Sequence, residues 1–299
     1  MFTSVRVTLR AALRRALRHA HGELLALPFL SGKTLPITHD EGGYVLPPPA
    51  GWGASATGDD GLPVPPNNLW LGYADTPQDF LDGGRRDTST MLGLLRRAGA
   101  SPEAMTRVLD LGCGAGRMLR FFPGKGAGVE RWGADISARH IAWCQEHLDP
   151  PFHFVTTSTT PHLPFADGYF DLVYAASLFT HIADLPDAWF LEILRVVRPD
   201  GYAYITLHDE HSVAWLRVRD PKREGWAPLR RALETFDRKT SVLSRAYSVF
   251  SIGHGPDAQV FHNLDALTRR WGRLARVVSI TPEAHDHQTA LLMRRELGR

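Results

Sequence analysis

From residue 107 onward the apolar positions fall into short, nearly continuous runs separated by longer stretches with helical spacing. The runs at 107–112, 129–135, 152–157, 170–176 and 202–208 predict five strands. Between them, "ARHIAWCQEHL" after Ser137 and "LPDAWFLEILRVV" predict helices, the second with Ala188, Leu191, Leu194 and Val197 on one side. A further helix is expected to open near Ala115, and "RPDG" at 198–201 to turn the chain. Strands alternating with helices of this length imply right-handed crossovers and a parallel sheet, so the fold class is α/β. Residues 211–262 break the alternation and read as an insertion, part helical and part extended. A helix near 264–272 and strands at 276–281 and 288–294 finish the chain.

Upstream the pattern is different. A helix is expected over 87–98, capped by Asp87 or Thr88. Residues 31–68 are rich in proline and glycine and keep no periodicity. The first 27 residues carry five arginines against one acid, with Leu9, Leu13, Leu17 and Leu24 at helical spacing. This basic amphipathic segment fits a helix packed on its own domain or a partner, one lying on a membrane surface, or a targeting peptide. The expected organisation is an N-terminal extension, 1–75, and one domain, 76–299, with a lid inserted at about 211–262.

Composition narrows the classes. The chain has 299 residues, 43% hydrophobic and 22% charged, enough for a sizeable core. A net charge of +2 gives little electrostatic case for nucleic acid. Cys113 and Cys144 are the two cysteines, too few for a disulfide framework or a Cys-x-x-Cys metal site, which fits a reducing cytoplasm.

The chemistry is expected where the first strand ends, in "VLDLGCGAGR". Ligands of open parallel sheets bind beyond the carboxyl ends of the strands. Gly112, Gly114 and Gly116 let the backbone turn sharply and approach a ligand, and Asp135, at the end of the second strand, is placed to accept both hydroxyls of a ribose. A dinucleotide fingerprint would need a third glycine where Arg117 stands. Asp110, two residues before the loop, would repel a pyrophosphate but suits an ammonium group. S-adenosylmethionine carries the ribose and the ammonium, and it has no phosphate. An NAD-dependent oxidoreductase and a non-catalytic cofactor-binding protein stay as alternatives.

These residues resemble the Rossmann-fold, class I S-adenosylmethionine-dependent methyltransferases. The likeness is carried by "VLDLGCGAGR", "GADIS" at 133–137, "LPFADGYFDLVYAASLFTHI" at 163–182 and "LRVVRPDGYAYIT" at 194–206. It implies a mostly parallel sheet of order 3-2-1-4-5-7-6, with strand 7 antiparallel and helices on both faces. It also implies a donor site of Asp110, Gly112, Cys113, Gly114, Gly116, Asp135, Ile136 and Ala176. The family often places an acid after strand three to bind the adenine amino group. Here that region reads "TTSTT", so Thr159 or a backbone group is expected to serve.

A hydroxyl acceptor usually needs a general base. His181, just past the fourth strand, His208, ending the fifth, and His254, in a glycine-flanked loop, are the candidates. His208, His211, His285 and His287 are expected to meet at the substrate rim as a hydrogen-bonded edge rather than a metal site. Trp70, Tyr73 and Tyr247 lie in the segments that would supply the lid. The expected acceptor is a small molecule — a glycan, lipid or secondary metabolite — with oxygen slightly preferred over nitrogen. The expected location is the cytoplasm, with membrane contact through residues 1–27 left open.

Overall fold

The computed structural model describes residues 52, 56–124, 129–218, 226–253 and 258–296. The amphipathic segment 1–27 and His254 therefore lie outside the described residues. At the centre is a seven-stranded sheet of order β3-β2-β1-β4-β5-β9-β8. Its strands are β1 (Arg107–Leu111), β2 (Glu130–Asp135), β3 (Phe152–Thr156), β4 (Phe170–Ala175), β5 (Val197–Leu207), β8 (Arg276–His285) and β9 (Gln288–Arg294). β1 to β5 pair in parallel, and β9 runs antiparallel to both β5 and β8. This is the expected order.

Strands so apolar need cover on both faces. Val108, Leu172, Tyr174, Tyr202 and Tyr204 point to one side, against α1 (Pro77–Arg97) and α2 (Ala138–His147). Leu109, Val173, Ala203 and Ile205 point to the other, against α3 (Pro186–Val196) and α6 (Leu264–Trp271). Phe190 and Trp271 stack at 4.1 Å between the last two helices.

Three elements differ from expectation. α1 begins ten residues early, at Pro77 instead of 87. Thr76 and Asp79 form a reciprocal capping box, and Pro77 occupies the first turn. Gly83 and Gly84 lie inside the helix, where it presses on the end of the glycine loop. A Cβ on Gly84 would stand 2.2 Å from the Arg117 carbonyl oxygen. No α-helix opens at Ala115. Gly114 and Gly116 are left-handed, at φ +50° and +75°, and the short run before Pro123 holds only a 3-10 turn, Leu119–Phe121. The "RPDG" stretch is part of β5, with Asp200 at φ +63° and a register shift against β4.

The insertion comprises α4 (Glu210–Val218), α5 (Ala227–Thr240) and a hairpin of β6 (Val249–Ile252) and β7 (Gln259–His262). It has its own core of Val213, Trp215, Leu216, Leu233, Phe250 and Phe261. The hairpin docks on the end of β5: His262 N–H donates to the His208 carbonyl at 2.8 Å. Residues 56–75 also pack on the sheet domain. Val64, Trp70, Phe80 and Leu81 form one buried cluster. Arg120, its side chain 1% exposed, holds Asp60 by two hydrogen bonds of 2.6 and 2.9 Å and donates to the Leu62 carbonyl. No helix among the described residues is long and apolar enough to cross a membrane.

Candidate donor site

The glycine loop leaves β1 with Gly112 at φ +82°, where its N–H donates to the Ala134 carbonyl at 2.7 Å. That bond folds the loop over the end of β2, where Asp135 sits. Gly114 N–H donates to Asp135 Oδ2 and Ser137 N–H to Oδ1, both at 2.8 Å. The carboxylate is thus fixed by the loop on one side and the cap of α2 on the other. Each oxygen retains a lone pair for a further donor such as a ribose hydroxyl.

Asp110 is buried one strand away. Burial pushes its carboxyl up to about 8; neighbouring Tyr174 and Arg117 act the other way, and Asp135 adds to the rise. A carboxyl in this state ionises readily once a cation docks beside it. Burial likewise pushes the Cys113 thiol up, so Cys113 is an inert wall.

Above the loop lies a strap, residues 69–75. Trp70 anchors it by donating from Nε1 to the Pro65 carbonyl at 2.7 Å. Leu71, left-handed at φ +55°, projects to within 3.3 Å of where a Cβ on Gly114 would sit. Tyr73 follows, with the Arg117 guanidinium 4.4 Å from its ring centre. Arg117 is held by buried Asp87 of α1 at 2.7 Å. His285 Nδ1 stands 3.6 Å from the same carboxylate, and burial lowers its pKa to about 4, so it is neutral. Strap and loop enclose a cavity of about 40 Å³ bordered by Leu71, Tyr73, Asp110, Gly112, Gly114 and Ala176.

The other expected residues fall as follows. Cys113 borders the cavity too; Gly116 lies at the end of the loop, and Ile136 and Thr159 are half-buried after β2 and β3. Among the described residues no histidine borders the cavity. His181 is half-buried, its Nδ1 2.9 Å from the Ala258 carbonyl of the insertion. His208 and His287 are buried and face each other, Nε2 to Nε2, at 3.0 Å. Burial and the neighbouring imidazole push the His208 pKa well down. His211 pairs instead with Glu283 at 3.1 Å, and His285 with Asp87. The four rim histidines therefore form three separate contacts, not one edge. Among the described residues no group of three or more potential ligands is set to hold a metal ion.

Sequence reasoning passed over Asp87, Leu71, Ser177, Thr206 and Gln288. Ser177 follows β4 at φ +58°, Thr206 is near the end of β5, and Gln288 opens β9. Only the antiparallel placement of β9 brings these three together. The sole signal in the chain was the polar run "HDHQ" at a strand start.

Comparison with known proteins defines the class. Residues 109–205 match the family model described as a methyltransferase domain. This stretch is thus similar to a methyltransferase domain, and the sheet order and glycine loop around it are those expected of the class I S-adenosylmethionine-dependent kind. Among curated proteins, a malonyl-[acyl-carrier protein] O-methyltransferase of Pectobacterium atrosepticum is 32% identical over 122 residues, 39% of this chain and 46% of that protein. A glycine/sarcosine/dimethylglycine N-methyltransferase of Actinopolyspora halophila is 27% identical over 154 residues, 47% of this chain and 24% of that protein. The chain spans about half or less of the length of these relatives. The PH0226 protein from Pyrococcus horikoshii has the same fold, with a TM-score of 0.51 at 17% identity, over 77% of this chain and 97% of that one.

S-adenosylmethionine is the cofactor of this class, and the residues present suit its chemistry. A buried carboxyl and a fixed carboxylate flank a loop whose glycines leave backbone exposed. In dimensions the cavity is far below the ~300 Å³ or more of a ligand pocket, and Leu71 of the strap fills the space over Gly114.

Proposed function

We propose that this chain is an S-adenosylmethionine-dependent methyltransferase acting on a small-molecule acceptor, with oxygen the preferred acceptor atom. The reading is carried by the two acids at adjacent strand ends: Asp135 oriented by Gly114 N–H and Ser137 N–H, and Asp110 buried two residues before the loop. Asp110 would hold the ammonium group, the backbone of Gly112 and Gly114 the methionine portion, and Asp135 the ribose hydroxyls. Ile136 would lie against adenine, with Thr159 near its amino group. Cys113, Gly116 and Ala176 complete the walls. When bound, S-adenosylmethionine supplies an electrophilic methyl group on a cationic sulfur.

The chain's own contribution is alignment and exclusion of water, which suffice for much of an in-line displacement. The strap lifts to admit the donor and closes over it. His181 ties the loop after β4 to the insertion, and His208 ties the insertion to the sheet; both set the shape of the acceptor side.

Calorimetry with S-adenosylhomocysteine tests the reading. Wild-type protein should bind it and should not bind NAD. Gly114→Val, which places a branched side chain where Leu71 and the donor approach, and Asp135→Ala should each abolish binding. Unchanged affinity in both variants, or binding of NAD alone, would sink the assignment.

A further inference from the structure

Where β4, β5 and β9 end beside the cavity, a closed ring of hydrogen bonds carries a direction. Ser177 N–H donates to Thr206 Oγ1 at 2.7 Å. Thr206 Oγ1 donates to Gln288 Oε1 at 2.6 Å, and Gln288 Nε2 donates to Ser177 Oγ at 2.8 Å. Turning the Gln288 amide over would aim an N–H at Thr206 Oγ1, which already accepts from Ser177. The Thr206 hydroxyl proton, on a residue with no exposed surface, would then lose its acceptor. The ring therefore runs one way, and Ser177 Oγ receives a hydrogen bond from inside it. Its own proton points out of the ring.

Two groups lie in that direction. Thr180 Oγ1 is 3.4 Å away and itself donates to the Ser177 carbonyl. The other is the hydroxyl of Tyr73, on the strap. Tyr73 is 42% exposed, so its ring edge meets solvent, yet burial of its hydroxyl raises the phenol above its ordinary value. Ser177 and Arg117 pull the other way and Asp87 and Asp110 reinforce the rise. The phenol stays protonated. With Ser177 donating to its oxygen, its own proton is left for a further acceptor, and Tyr73 borders the cavity.

We propose that Tyr73 is the residue that meets the methyl acceptor, that Ser177, Gln288 and Thr206 are its positioning residues, and that the acceptor is a carboxylate. The proposal rests on the methyltransferase reading above. Amines and hydroxyls are protonated at neutral pH and need a base to expose a lone pair. Among the described residues the cavity offers none: no histidine borders it, and the carboxyl that does, Asp110, is engaged by the donor's ammonium group in this reading. A carboxylate arrives ready. One oxygen bonds to the methyl carbon as the carbon–sulfur bond breaks. The electron pair of that bond stays on sulfur, giving a neutral thioether and a methyl ester, and no proton has to leave. The other oxygen accepts the Tyr73 hydrogen bond.

The test uses the full chain, S-adenosylmethionine labelled in the methyl group, and a panel of acceptors. Acetate, hexanoate, palmitate, benzoate and succinate stand against hexylamine, phenol and catechol. Methyl esters release volatile labelled methanol in base; ethers and amines do not. Expected is base-labile label on at least one carboxylate. For that carboxylate Tyr73→Phe should raise KM about tenfold or more, the effect of losing a hydrogen bond to a charged group, with S-adenosylhomocysteine affinity unchanged. Gln288→Leu should raise KM in the same direction, and so should Gln288→Glu, which keeps the acceptor for Thr206 but cannot donate to Ser177 Oγ and would draw the Ser177 proton inward. Label on the amine or phenols alone, no base-labile label although S-adenosylhomocysteine binds, or a KM indifferent to Tyr73→Phe would each overturn the proposal. Failure to bind S-adenosylhomocysteine would instead sink the methyltransferase reading beneath it.

Discussion

Donor binding should release a proton, and Asp110 is the reason. Its carboxyl is buried and titrates at about 8, so near neutral pH it is mostly uncharged. About one molecule in ten carries the carboxylate at pH 7, since each unit between pH and pKa is a factor of ten, ~1.4 kcal/mol. A docked ammonium group favours the ionised form, and the proton leaves. Affinity for S-adenosylhomocysteine should then rise about tenfold from pH 6 to 7, somewhat less from 7 to 8, and level off above. Calorimetry at pH 7 in buffers of different ionisation enthalpy should count close to one proton released per ligand, and roughly half a proton at pH 8. Asp110→Asn should bind weakly and lose both effects. The same shift affects the fold with the opposite sign. Between the unfolded value of 3.8 and about 8 the folded chain holds a proton that the unfolded chain has lost. Asp110 therefore lowers folding stability as pH rises across that window, and Asp110→Asn should melt higher than wild type at pH 8. Flat affinity from pH 6 to 8 with no proton released would refute the reasoning.

The strap gives a kinetic prediction. Leu71→Gly removes the side chain over Gly114 and relieves its left-handed backbone, so S-adenosylhomocysteine should associate several-fold faster in stopped-flow fluorescence. An unchanged association rate would place the barrier elsewhere. His262 gives an acid-stability prediction. Burial lowers its pKa to about 4, below the unfolded value of 6.5. Its share of stability is full above 6.5 and is lost as pH falls towards 4, so melting temperature should drop over that range, and less steeply in His262→Gln.

How far the sequence carried the fold depended on how local each signal was. The strands were legible because β1 to β5 are nearly continuous apolar runs. The start of α1 was not, because Gly84 is explained by a backbone more than thirty residues away, at Arg117. The missing helix after β1 has a local cause, three left-handed glycines, but glycine alone does not say which sign of φ it takes. At the candidate donor site, Asp110, Gly112, Gly114 and Asp135 stood out because strand ends and acids have fixed spacing. Ser177, Thr206 and Gln288 have no shared spacing; they meet only through sheet order. For a related reason the histidines did not declare their surroundings: strand ends bring His208 and His287 together in the interior, where burial keeps the His208 ring neutral.

The grip of Arg120 on Asp60 bears on where the folded unit starts. A shortened chain beginning at Thr76 would keep every strand and helix named above and still lose the partner of a guanidinium sealed from water. Orphaning a buried charge costs ~3–5 kcal/mol, a large part of a domain's whole margin. The proline-rich approach to the sheet is thus a counter-ion carrier as well as a tether, and the smallest autonomous piece reaches back to the neighbourhood of residue 56.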